Sequence, residues 1–520
     1  MEPPRPDNLG PFYLQHYRQA FHAAVAAGEA KPFVIPYTLL GSFFLPALYL
    51  CVLHVGRPWL YRLRFAVLAA VVCLNAQVLA TTSSANMAVS YATGLTAAWG
   101  TIWGFAHLLF MRPQFDAMRV ARRRKTKTEM MNGSVGEKTE AAAAAAFAAD
   151  ESLALVADEY EYYWQAYPAE GTFAERWDWV TDHFLSFRGI GWNWAISSVP
   201  GPKRPSKPGD LISLSSSSMP VTTRSGYTRC TTYRAFVRNR LLHITWSYLV
   251  LDIWTLIFRR DPYFILGPGY RTSGHPLPIA FASLPPFALE ILRSVAALLG
   301  VLGGLFFYLN TVQLLGCLLS GDPLWKYPSL FGSFSNVLDR GLAGFWGGWW
   351  HQSFRVGFTG PTSWLARKGY IPPPTTALPT KIAEAFVAFF LSGLLHSAGG
   401  RTAIPDTGRP WGPLEFFLLS FVGVVLQKAV CAVLPLKEVV PRGWRRTGNL
   451  AFVVVWLHLT RWALIDDFCA AGLFLFEPVP VSIVRLLGFS VSGESWWRWD
   501  MEYLPRWYTG AHWWESGIRL

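Results

Sequence analysis

The chain has 520 residues, 52% of them hydrophobic and 15% charged, with a formal net charge of +13. A soluble globular chain is nearer about 25% charged, and here the charge is gathered between long apolar runs, which excludes an ordinary soluble domain. In such a chain the excess of Lys and Arg reflects basic cytosolic loops, so no nucleic-acid partner is expected.

The first thirty residues lack a basic segment followed by an apolar core, so no cleavable signal peptide is read there. A membrane span takes about 20 mostly apolar residues. Eight stretches qualify: 33–53, 65–82, 88–110, 242–258, 287–318, 382–398, 414–435 and 449–474. The fold class predicted is an all-α polytopic membrane protein with about eight transmembrane helices, the first doubling as the insertion signal. A long loop, 112–241, separates the third and fourth spans and carries the basic run Ala121–Lys127. Placing this loop in the cytosol also puts Arg57, Arg62, Arg64, Arg442, Arg445 and Arg446 there, although Arg259 and Arg260 then fall on the lumenal side. Within the loop, 120–146 ends in an alanine run and 198–228 is rich in Pro and Ser, so both are read as disordered. Residues 151–195 are aromatic and mixed in charge, and are predicted to fold in part. Six cysteines form no C-x-x-C pair, so neither a disulfide framework nor a metal site is expected.

An ionisable residue inside a span costs ~2.5–3.5 kcal/mol on insertion scales and is a candidate site by default. His107 and His243 lie near span ends and are predicted to be interfacial. Tyr248 and Asp252 share a helix face, with a structural role and a polar path equally open. Glu290, Arg293, Glu384 and Asp467 are further intramembrane charges. His458 and Arg461, one turn apart with Asp466 beyond, read as an internal ion-pair network. His396 sits in "AFFLSGLLHSAGG", with Ser392 one turn earlier and Gly393 permitting close approach of another helix. It is either a cross-helix packing histidine or an uncharged imidazole suited to act as a general base. In "FWGGWWHQSFR", Phe345 to Arg355, an interfacial aromatic belt explains Trp346, Trp349 and Trp350 but not His351, Gln352 and Arg355.

Three stretches together resemble the membrane-bound O-acyltransferase superfamily, in its fungal wax-synthase-like branch. They are "RGIGWNW" at 188–194, "DPLWKYPSLFGSFSNVLDRGLAGFWGGWWHQSFR" at 322–355, and "FFLSGLLHSAGG" at 389–400. The resemblance implies a single acyltransferase domain over 1–520, a helical bundle enclosing a reaction tunnel, and a catalytic segment at 319–400. It implies transfer of an acyl group, acetyl above all, from acyl-CoA to a hydroxyl of a hydrophobic acceptor such as a terpenoid or other secondary metabolite. No permanently bound cofactor is implied, and the expected location is the endoplasmic reticulum membrane.

By the same resemblance His396 is the general base and His351 the second catalytic residue. Trp346, Trp350, Gln352, Arg355 and Ser392 are then substrate-binding. Where relatives have Arg-Arg, this chain has Gly348-Trp349. Contacts to CoA phosphates are therefore expected from Arg340, Arg355, Arg367 or Lys368. Three other readings stand beside this one: a long-chain wax-ester synthase, a transporter using Asp252, His458, Arg461 and Asp467, and an inactive relative of the family.

Overall fold

A computed structural model describes residues 9–125, 160–205, 207–212, 219–404, 408–434, 436–489 and 494–520. Most of what it describes is helical. The helices that carry the argument are α1 (Leu9–Ala26), α2 (Leu45–Cys51), α3 (Arg64–Thr81), α4 (Met87–Phe105), α5 (Phe173–Leu185), α6 (Tyr233–Phe258) and α7 (Pro286–Ser320). They continue with α8 (Ser335–Gly344), α9 (Arg355–Arg367), α10 (Leu378–Thr402), α11 (Gly412–Val433), α12 (Arg442–Thr460) and α13 (Trp462–Ala470).

Among the described residues, five helices are long and apolar enough to cross a membrane, or six if α12 and α13, bent by 44°, form one broken span. This corrects the expected eight. The stretch 33–53 is helical only over Tyr37–Cys51, passing from a 3-10 turn (Tyr37–Leu39) through a π turn (Leu40–Phe44) into the short α2, and is too short for a span. Proline bounds it at one end: Pro36 stands just before the first turn and biases the residue ahead of it to extended backbone, so the helix does not reach back to residue 33. The stretch 88–110 is helical but not among the five. Ser90, Thr93, Gly94, Gly100, Thr101 and Gly104 interrupt its apolar face.

Those same small residues serve packing. A Cβ placed on Gly94 would lie 1.8 Å from the Ala398 carbonyl oxygen, and one on Gly399 would lie 2.3 Å from the Tyr91 ring. The α4 and α10 backbones therefore approach as closely as membrane helices with small interfacial residues do. Thr402 Oγ1 completes the seam, accepting from Gly94 N at 2.9 Å and donating to Ser90 O at 2.7 Å. On its other side α10 meets α11, where Gly393 faces Leu414.

Between α4 and α6 the long loop folds onto this bundle. Strands Arg119–Arg124 and Tyr160–Gln165 pair antiparallel, and Leu211–Ile212 extends the sheet. Helix α5 starts at a capping box in which the Thr172 hydroxyl accepts from Glu175 N and the Glu175 carboxylate from Thr172 N. Within the two segments expected to be disordered, 126–146, 206 and 213–218 lie outside the described residues. Of the described parts, 120–124 is strand, and Met219 and Tyr227 are fully buried.

Candidate active site

The stretch around His351 is built by two breaks in helical geometry. In α8, Gly341 adopts φ 57°, ψ −136°, a conformation that side-chain-bearing residues avoid, and a Cβ there would strike the Gln427 amide at 2.1 Å. The chain then widens into a π turn over Phe345–Trp349, closed by Trp350 N donating to Phe345 O at 2.8 Å. Such single π turns recur at functional sites. Gln352 locks the turn, its Nε2 donating to Trp346 O at 2.9 Å and Trp350 O at 2.8 Å, while its Oε1 accepts from Arg355 Nη1 at 3.2 Å. Both amide protons are thereby spent, so Gln352 positions the turn.

The long loop holds the same turn from outside. Tyr227 Oη donates to Trp350 O at 3.0 Å. Arg188 Nη1 donates to Ser329 O at 2.9 Å, and Gly191, at φ 78°, lies against the Trp325 ring. The stretches at 188–194 and 322–355 are therefore one packed unit. The third stretch joins through rings: Trp346 packs on Phe417, with centroids 5.5 Å apart, and Phe417 on His396 at 4.9 Å.

These elements enclose a cavity of about 1220 Å³. Trp346, Trp350, His351, Gln352, Arg355, Ser392 and His396 all line it, so the structure brings the seven residues expected to be catalytic or substrate-binding to one space. His396 is fixed through its backbone, whose carbonyl accepts from Tyr91 Oη at 2.7 Å. Its ring Nδ1, the Nδ1 of His351 and the Nε1 of Trp346 are buried and bond to nothing among the described residues. Trp346, His351 and His396 all line the cavity. Burial pushes the His351 imidazole down to about 4, and the neighbouring His396 and Arg188 add to the effect. His351 is therefore neutral at physiological pH and keeps one N–H to donate and one lone pair to accept.

The cations expected at phosphate divide. Arg340 donates to Asn336 Oδ1 at 2.5 Å and fills the space beside Gly348, where a Cβ would meet its Nη2 at 2.1 Å. Arg367 is engaged with Phe110 O at 2.8 Å. Arg355 faces the cavity together with Lys381 and Lys428, two residues the sequence reading passed over. Lys368 does not line it.

The remaining candidates mostly hold structure. Asp252 is fully buried and accepts from Ser482 Oγ at 2.5 Å and Val484 N at 3.0 Å, while Tyr248 Oη donates to Val481 O at 2.5 Å. Together they anchor the 481–484 segment. Arg293 pairs with Asp261 at 2.7 Å. His107 is a correction: it is buried in the core against Trp103 and His183, with Nδ1 on Trp103 O at 2.9 Å, and is not interfacial. The His458–Arg461 network is present, joined through Ser294, but its acid is not Asp466. Arg461 pairs with Glu290 of α7, and Asp466 accepts from Tyr263 Oη at 2.8 Å. Among the described residues no group of three or more metal-ligating side chains occurs.

Membrane-length helices thus surround an apolar cavity lined by two histidines. Residues 327–419 match the model of the membrane bound O-acyl transferase family, a segment containing the π turn, His351 and His396. The curated relatives agree. Acetyltransferase pyr8 of Aspergillus fumigatus is 26% identical over 328 residues, covering 59% of this chain and 68% of its own. Acetyltransferase ple2 of Rhodocybe pseudopiperita is 26% identical over 292 residues, covering 55% and 65%. Acetyltransferase ataH of Aspergillus terreus is 28% identical over 292 residues, covering 50% and 86%. Over residues 327–419 the chain is similar to membrane-bound O-acyltransferases, and the relatives it matches are named acetyltransferases. No solved structure matches it.

Proposed function

We propose that the protein transfers an acetyl group from acetyl-CoA to a hydroxyl of a bulky hydrophobic acceptor, of the terpenoid or related secondary-metabolite kind, at the endoplasmic reticulum membrane. The observation that carries this reading is the apolar cavity in which the rings of His351 and His396 each leave a buried nitrogen unpartnered. The names of the relatives support it: several are acetyltransferases, and the O-Mevalon transferase yanI of Aspergillus niger, 23% identical over 297 residues, shows that a related chain carries a different acyl name.

In this mechanism His396 accepts the proton of the acceptor hydroxyl as its oxygen attacks the thioester carbonyl carbon. His351, neutral, donates its N–H to the carbonyl oxygen as that oxygen gains charge, a contribution worth ~2.7–4 kcal/mol for one well-placed donor. The carbon–sulfur bond breaks, and the thiolate of CoA takes the proton back from His396, leaving ester and free CoA. Both substrates meet in one cavity, so no covalent acyl-enzyme is needed and proximity supplies much of the acceleration. Arg355, Lys381 and Lys428 supply the positive charge for the CoA phosphates, taking over from the absent arginine pair. Phe287, Leu378 and Leu459 line the cavity yet are exposed, and they form the apolar rim through which the acceptor arrives from lipid.

The test is acyl transfer in microsomes from a heterologous host. Labelled acetyl-CoA and palmitoyl-CoA would be offered against hydroxylated terpenoids and long-chain alcohols. Acetyl esters of the polycyclic alcohols are expected. Palmitoyl esters of linear alcohols would establish wax-ester synthesis instead, and CoA failing to bind the purified protein would favour the inactive or transporter readings.

A further inference from the structure

The cavity has a second polar corner, carried by α7 and by the bend between α12 and α13. Ser294 on α7 donates its hydroxyl proton to Glu290 O one turn earlier, at 2.8 Å. Its oxygen accepts from Arg461 Nε at 2.5 Å and lies 2.8 Å from His458 Nδ1. A hydroxyl has one proton, and this one is committed, so His458 Nδ1 is the donor to Ser294. In a singly protonated ring the other nitrogen, Nε2, is then an acceptor, and it has no partner among the described residues. Arg461 directs Nη2 to the Glu290 carboxylate and carbonyl. Its Nη1 has no acceptor among the described residues. Ser294, His458 and Arg461 all line the cavity.

This corner therefore offers one acceptor, His458 Nε2, beside one donor, Arg461 Nη1, and Glu290 cancels the arginine charge. A carboxylate would find no net positive charge there, and a ketone would use the donor alone. A hydroxyl uses both. We propose that Ser294, His458 and Arg461 form a subsite for a second hydroxyl of the acceptor, so that the preferred substrate is a hydrophobic diol acylated at the His396 end. The proposal rests on the reading of this cavity as the site of acyl transfer. An ion pair that merely tied α7 to α12 would need no pair of unfilled positions facing an apolar space, because in such surroundings each unpaired polar atom is costly.

The test uses the purified full-length protein with labelled acetyl-CoA and matched pairs: a steroid diol against the steroid lacking the remote hydroxyl, and a linear α,ω-diol against the primary alcohol. Parent, His458→Phe, His458→Gln and His396→Ala are compared. The parent is expected to favour at least one diol in kcat/KM by about 10-fold or more, as a site that binds a hydroxyl rejects the analogue lacking it. In His458→Phe the ratio should fall to about 1 through a raised KM for the diol. His458→Gln, which keeps a donor and an acceptor, should restore part of it. If His458→Phe does not fold, Ser294→Ala, which removes the oxygen that fixes the His458 ring, reads the same ratio. Equal rates on diol and mono-ol in the parent, an unchanged ratio in the variants, or no transfer to any diol would overturn the subsite. Undiminished transfer by His396→Ala would instead overturn the assignment of the reaction site.

Discussion

At the scale of single residues, the two histidines are held differently, and this separates their predicted behaviour. His396 rides on a membrane-length helix locked to α4 by Tyr91, whereas His351 sits on the connection after a π turn fixed by Gln352 and Tyr227. His351 is held neutral by burial, with a value lowered to about 4. Its neutral form is thus favoured in the folded state, and protonation costs stability only as the pH falls from about 6.5 towards that value. Its titration should leave no mark on activity between about pH 5 and 8. His351→Asn, which keeps a donor and cannot titrate, should then give a pH–rate curve parallel to that of the parent, while His351→Ala should lower kcat by roughly 10²-fold. A limb of the parent curve near neutral pH that vanishes in His351→Asn would contradict this.

At the scale of elements, the seam between α4 and α10 sets where His396 points. Gly94 and Gly399 allow the approach, and no side chain fits at Gly94 without displacing the Ala398 backbone. Gly94→Ala should destabilise the protein by about 1–3 kcal/mol, as overpacking does, and thermal unfolding in detergent would show the loss. A variant as stable as the parent would mean that the seam is looser than described. Element by element, the sequence foretold those features that depend on local composition. The five membrane-length helices announce themselves as apolar runs, and His396, Ser392 and Gly393 stand out inside one of them. The shortened 33–53 stretch carried its own warning in Pro36. Cross-chain geometry left no such mark: Glu290 as the partner of Arg461, and Tyr227 under Trp350, follow no periodicity. The exposed lysines Lys381 and Lys428 become cavity residues through tertiary packing alone.

At the scale of the whole molecule, the C-terminal segment closes the bundle against its N-terminal one. Strand Gly517–Arg519 pairs with Val34–Ile35, Arg18 bonds Asp500 at 2.5 Å, and Lys31 meets Glu515 at 2.8 Å. Glu502 draws Arg506 and Arg519 together, each at 2.6 Å. Burial opposes the Glu502 charge, but these two guanidinium groups prevail and hold its carboxyl below the usual range. A lowered carboxyl contributes stability above the ordinary value near about 4.3 and loses it as the pH falls. The melting temperature of Glu502→Gln should therefore lie below that of the parent at neutral pH, and the gap should narrow as the pH falls below about 4. A gap that stays constant with pH would show that Glu502 contributes packing rather than charge.

The central claim is that acyl transfer takes place in the cavity shared by His351 and His396, with His396 as the base. Its most direct test is the turnover of labelled acetyl-CoA by purified parent and His396→Ala proteins shown to unfold at the same temperature. The account predicts a fall in kcat of about 10²–10⁴-fold, the usual contribution of a positioned base. Equal turnover by the two proteins would contradict it.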